Sequence, residues 1–157
     1  MKKAKHPKYS ETMMTEVVFP NDTNPMGIVQ GGRIIQLMDI ACAICAQTHS
    51  GRIAVTASID KVSFKHPARL GDILMINATI TRAFTTSMEI FAEVKSKRLP
   101  DLKPRVTSEA YFTFVALDEN ARPAAVIPVA PVTAAEKKYY KEALQRKKNR
   151  KRKIILK

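Results

Sequence analysis

The sequence has no uninterrupted apolar run long enough to cross a bilayer, and its basic, polar N-terminus lacks the apolar core of an export signal. No transmembrane segment is expected, and a cytoplasmic location is. Cysteine is scarce: Cys42 and Cys45 form a single C-x-x-C inside an apolar stretch, with no second pair anywhere. A redox pair wants a thiolate at an exposed helix N-terminus, and a zinc site wants further ligands. Both cysteines are expected to be small core residues instead. Of three histidines, His6 and His49 have no partner at triad or metal spacing, and His66 before Pro67 reads as a loop residue. A Ser-His-Asp triad and a metal site are unsupported, and no cofactor is implied. The body holds no internal repeat and no low-complexity segment.

Acid is the other shortage, with 14 Asp and Glu against 27 Lys and Arg, a net charge of +13. The excess sits at the ends. Residues 1–8 carry four Lys and no acid, and residues 137–157 carry eleven Lys or Arg against Glu142 alone. The body between them is close to neutral. Blocks of like charge are usually solvated ends. The run Lys147 to Lys153, K-K-N-R-K-R-K, has no interleaved aromatics. A specific nucleic-acid partner is therefore not expected, and a solubilising or membrane-surface role suits the run as well.

What is present is organised around Asp22 to Ser50. Turn formers come first (Asp22, Thr23, Asn24, Pro25, Gly27), then Gly31-Gly32, then a helix predicted over 33–47 with neither Gly nor Pro. That helix is apolar on nearly every face, so other structure is expected to wrap it. One carboxylate, Asp39, stands in its middle, and Asp is rarely buried without a partner or a purpose. A structural alternative for it is pairing with Arg33 or Lys61. Gly51 is a plausible C-terminal stop.

Strands are predicted over 12–19, 53–64, 73–85, 87–97 and 105–117, with a hairpin at Thr85-Thr86-Ser87. Arg122 to Pro131 is too rich in Pro for a central strand and reads as an extended connector. Thr133 with Glu136 makes a capping box for a last helix reaching about residue 146. One helix followed by strands without alternation indicates an α+β domain, with an antiparallel sheet wrapped around one long central helix. The division is a flexible N-terminus over 1–10, the domain over 11–135 and a basic helix and tail over 136–157.

The motifs D-T-N-P-M-G, Q-G-G-R-I-I-Q-L-M-D-I-A, V-T-A-S-I-D-K-V-S-F, P-A-R-L-G-D-I-L and S-M-E-I resemble the hotdog-fold acyl-CoA thioesterase (acyl-CoA hydrolase) family over residues 10–135. The resemblance implies hydrolysis of an acyl-CoA to a free acid and CoA. It implies a catalytic Asp39, joined by Asn24 as in the related two-domain enzymes. Where the family often has His or Phe, this chain has Gln30, which bears on substrate fit. It also implies assembly such as a trimer of dimers. A hotdog module that binds acyl-CoA without turnover is the alternative.

The residues suit the chemistry. A helix N-terminus offers free N–H groups and a partial positive charge, and Gly31 and Gly32 let a carbonyl approach them. The Gly32 N–H is a candidate oxyanion donor, although the glycines also serve simple close packing. An apolar setting would make Asp39 a stronger base. Whether it activates water or attacks directly is left open. Eight residues separate Asp39 from Gly31, roughly 12 Å of helix, too far for one thioester carbon to touch both. A site using both takes them from two subunits, so a dimer with composite sites is expected. Lys65, Arg69, Arg82, Lys97 and Arg98, with Ser87 and Thr56 as hydroxyl contacts, are candidates for CoA. Deleting the chain after Arg146 is expected to leave turnover intact.

Overall fold

The computed structural model describes residues 3–155. Its elements are β1 (Thr12–Val17), α1 (Gly31–Ser50), β2 (Ala54–Phe64), β3 (Ile73–Ala83), β4 (Ser87–Lys97), β5 (Arg105–Ala116) and α2 (Ala134–Ile155). The five strands make one antiparallel sheet in the order β1-β3-β4-β5-β2. β3 and β4 form the expected hairpin, in register from Ile73 opposite Lys97 to Ala83 opposite Met88. β2 does not lie beside its successor. It crosses to the far edge and pairs only with β5, a long-range choice that local alternation does not encode.

Alternation in β3, β4 and β5 sends Leu74, Ile76, Ala78, Ile80, Met88, Ile90, Ala92, Val94, Ala110, Phe112 and Phe114 to one face. There they meet Ile34, Leu37, Met38, Ala41, Cys42, Cys45 and Ala46 of α1. Small residues at 41, 42, 45 and 46 let the helix sit close against the sheet. Both cysteines are buried and free, and burial pushes the Cys45 thiol up to about 11, which keeps it protonated and inert. Gly51 ends α1 in the left-handed conformation, φ +66°, with its N–H on the Gln47 carbonyl.

Three expectations change. The helix is not wrapped all round, because Ile40 and Ile44 remain 40% and 43% exposed on the flank away from the sheet. The N-terminal stretch is held at Lys5 rather than loose throughout. Lys5 exchanges backbone hydrogen bonds with Pro128 and Ala130 of the extended connector, and its Nζ caps the His49 carbonyl at the end of α1. The last helix begins with the Thr133–Glu136 capping box and runs to Ile155, well beyond Arg146. Residues 1–2 and 156–157 of the two expected tails lie outside the described residues.

α2 covers the sheet face opposite α1. Its Arg146 forks onto Glu89 of β4 at 2.7–3.2 Å, and the Thr81 hydroxyl donates to the same carboxylate at 2.7 Å. Glu89 is fully buried. Tyr139 stacks on Phe91, and the Arg146 guanidinium lies over Tyr111.

Candidate active site

The site begins in the turn before α1. The Asn24 side-chain oxygen accepts from the Met26 and Ile28 amides at 3.0 and 3.1 Å, and Gly27 takes φ +71° to close the loop. These bonds consume the Asn24 carbonyl and leave its Nδ2 as the end that can reach a ligand. The loop is then stitched to 66–70 by Val29 N–H to Ala68 and Leu70 N–H to Gly27. Asp22 holds the helix entrance, accepting from Arg33 Nε at 2.9 Å and from the Phe19 amide. Arg33 is thereby taken up and does not pair with Asp39.

Gln30 is the N-cap residue, but its side chain does not cap the helix. Its amide turns back to donate to the Thr23 carbonyl at 3.2 Å. Among the described residues no acceptor holds the N–H of Gly31 or Gly32, so both first-turn donors are free. The two glycines differ. A Cβ on Gly31 would meet the Phe64 ring at 3.1 Å, whereas one on Gly32 would meet nothing within 4 Å. Gly31 is the residue that packs against β2, and Gly32 borders open space on the side where a Cβ would stand.

Two turns further on, the Thr56 hydroxyl of β2 donates to Asp39 Oδ1 at 2.6 Å. Thr56 therefore belongs with Asp39 rather than with the helix N-terminus. Asp39 is half-buried, not sealed among apolar groups as the composition of the helix suggested. The reason is the uncovered flank: Asp39, Ile40 and Ile44 share the part of α1 that this chain's sheet leaves open.

One cavity flanks the helix N-terminus, and a second adjoins it at His66 and Pro67. The first, of about 410 Å³, is lined by Ile28, Val29, Gly31, Ile34, Phe64, Lys65, His66, Pro67, Ala68 and Thr107. The other, of about 460 Å³, shares His66 and Pro67 and carries Arg69, Lys97, Arg98, Lys103 and Arg105 against Asp72 and Asp101. Asp72 is buried there, accepting from the Arg69 amide at 2.8 Å and from Arg98 Nε at 2.6 Å. Lys65 pairs with Glu109 at 2.8 Å. Four predicted contacts, Lys65, Arg69, Lys97 and Arg98, thus converge.

Arg82 and Ser87 do not join them. Arg82 is engaged by α2, donating to the Tyr140 carbonyl at 3.1 Å and lying over its ring, and Ser87 starts β4 at the end opposite Lys97. Lys103 and Arg105 join the cavity lining only in the fold, because D-L-K-P-R reads locally as a loop. Its alternating basic residues were the available signal. No group of three or more metal-ligating side chains occurs among the described residues. No described helix is long and apolar enough to cross a membrane.

A long helix laid on a five-stranded antiparallel sheet is the hotdog fold, and here it is the fold of a thioesterase. A model of the thioesterase superfamily matches residues 26–101. An uncharacterized acyl-CoA thioester hydrolase of Bacillus subtilis is 36% identical over 92% of this chain and 86% of its own. A hexameric acyl-CoA thioesterase solved without ligand superposes with a TM-score of 0.95 at 37% identity, over 99% of this chain and all of its own. The chain therefore belongs to the acyl-CoA thioester hydrolases of the thioesterase superfamily.

A Staphylococcus aureus acyl-CoA hydrolase solved with butyryl-CoA and CoA superposes at 0.91, with 36% identity over 98% of this chain and 93% of its own. That enzyme has also been solved with an Asn, an Asp and a Thr each replaced by Ala. Those positions fall along its chain at the same intervals as Asn24, Asp39 and Thr56 fall along this one.

Proposed function

We propose that this protein hydrolyses acyl-CoA thioesters at sites shared between two copies of the chain. The carrying observation is that its two chemical groups, the Asp39 carboxylate and the free amides of Gly31 and Gly32, are both open yet held roughly 12 Å apart on one rigid helix. Neither end is complete alone, and a two-fold partner bringing its own helix alongside supplies each with what it lacks. The apolar flank at Ile40 and Ile44, with exposed Val55 and Ile59 on β2, provides the surface that such a partner covers. The hexamer of the related thioesterase supports assembly beyond the dimer.

In this reading the thioester carbonyl points at the Gly32 N–H and at Asn24 Nδ2, and these donors take up the charge that develops on its oxygen. Asp39 of the other chain is oriented by the Thr56 hydroxyl. It either removes a proton from an attacking water and returns that proton to the departing CoA sulfur, or attacks the carbonyl itself, expelling CoA thiolate, which takes a proton from solvent, and leaving a mixed anhydride that water cleaves to the free acid and the restored carboxylate. Gln30 lies next to this donor pair and limits the space above it. The pantetheine arm follows the cavity past Phe64, Ala68 and Thr107. The CoA phosphates reach the basic cavity, where Arg69, Lys97, Lys103 and Arg105 outnumber the free acid. Lys65 and Arg98 reach the same region through side chains already paired with Glu109 and Asp72.

Thiol release from a panel of acyl-CoAs tests the activity, and mixing tests the sharing. Asp39→Ala and Asn24→Ala are each expected to lose about 100-fold or more in turnover. Randomly mixed chains are expected to regain about a quarter of wild-type activity, since half the dimers are mixed and each mixed dimer has one intact site. No recovery would refute shared sites. Bound CoA with no thiol released at any chain length would make the protein a binding module instead.

A further inference from the structure

The functional site is described by α1 and β2, yet α2 also reaches β2. Arg150 Nη1 donates to Asp60 Oδ2 at 2.8 Å, and both side chains are largely buried. The place of Asp60 is informative. It stands four residues after Thr56, which holds Asp39, and four residues before Phe64, which packs on Gly31. Those are the two points at which β2 meets the two chemical ends of α1.

Within one chain β2 pairs with β5, and that pairing slips twice, between Thr56 and Ser58 and between Asp60 and Ser63. Immediately after Asp60, Lys61 adopts φ +51°, a conformation that lysine pays for. Each bulge leaves a residue out of the β2–β5 ladder and re-aims the side chains beside it, so the ladder alone defines this stretch less closely. The opposing end of the tie is firm: one turn earlier on α2, Arg146 is forked onto the buried Glu89, whose second oxygen also lies 4.0 Å from Arg150.

We infer that Arg150 is a positioning residue: through Asp60 it sets the β2 segment that aligns Thr56 with Asp39 and Phe64 with Gly31. The inference rests on the hydrolase reading above. It reverses one expectation, since a chain cut after Arg146 loses this tie and is expected to lose turnover with it. Because the Asp39 end and the Gly31 end serve different sites in a shared-site dimer, one tie acts on two sites at once.

The test compares wild type, Arg150→Ala, Arg150→Lys, Asp60→Asn and the swapped pair Asp60→Arg with Arg150→Asp, using butyryl-CoA. A small displacement of a catalytic group costs rate more than binding, so Arg150→Ala and Asp60→Asn are expected to lower kcat about tenfold. KM should stay within about twofold, and Arg150→Lys and the swapped pair should regain part of the loss. Unchanged kcat, or a loss that tracks only the folded fraction, overturns the inference. Amide hydrogen exchange gives a readout that needs no turnover. Arg150→Ala should speed exchange in residues 54–64 while leaving α1 protected, and unchanged protection of β2 overturns the inference. Wild type that releases no thiol defeats the hydrolase reading, and the exchange result still decides whether α2 holds the strand.

Discussion

His49 shows how position in the fold governs a single side chain. Burial pushes its pKa below the ordinary 6.5, against the pull of the Ile127 carbonyl on Nε2 at 2.8 Å, and nearby Lys5 pushes it the same way as burial. Nδ1 is buried without a partner among the described residues. The folded ring therefore stays neutral where the unfolded one takes a proton. Below about pH 6.5 the unfolded chain binds more protons at this residue, so stability falls as the pH drops from there toward the folded pKa. His49→Gln should flatten that part of the acid-side slope, measured as urea midpoints at about pH 5 and about pH 7.5; an identical slope would show that His49 does not titrate differently on folding. The glycine pair is a second case at this scale. The sequence shows two equal glycines, and only the fold separates them, by setting the Phe64 ring against Gly31 and leaving Gly32 open.

Among the elements, α2 departs most from what local composition suggests. A run of Lys and Arg reads as a solvated end, but residues 146 and 150 are spaced one turn apart and turn toward the sheet. There they meet Glu89 and Asp60, so part of the positive charge is structural. Removing one partner strands a buried charge. Arg146→Ala is expected to cost about 3–5 kcal/mol in urea unfolding, while Glu89→Leu with Arg146→Met should come within about 1 kcal/mol of wild type. A small loss in the single variant would mean that Glu89 finds another cation, with Arg150 the nearest. The β strands were far more legible. Alternating apolar and polar residues located β4 to the residue, because its two faces meet different surroundings along its whole length. β2 alternates too, yet most of it is exposed in the single chain, on the surface that the proposed dimer covers.

At the scale of the whole molecule, the proposed assembly turns on the uncovered flank of α1. The chain's own sheet covers one side of this apolar helix and leaves Ile40 and Ile44 exposed on another. Ile44→Glu places a charge in that contact, and it is expected to shift the particle mass toward the monomer and to reduce turnover at least about tenfold. Light scattering coupled to gel filtration reads the mass. An unchanged assembly would locate the interface elsewhere.

The sequence by itself determined the helix, its two glycines and lone carboxylate, the strand pattern and the family, because these depend on local spacing and on side chains that chemistry cannot exchange. Tertiary structure alone decided which strand became the far edge, and that the Thr56 hydroxyl meets Asp39. It also decided that Arg82 serves α2 while Lys103 and Arg105 join the basic cavity, and that Arg150 reaches Asp60. Each of those is a contact between residues distant along the chain. Such contacts follow from how the sheet closes over the helix, and no local pattern of residues records that.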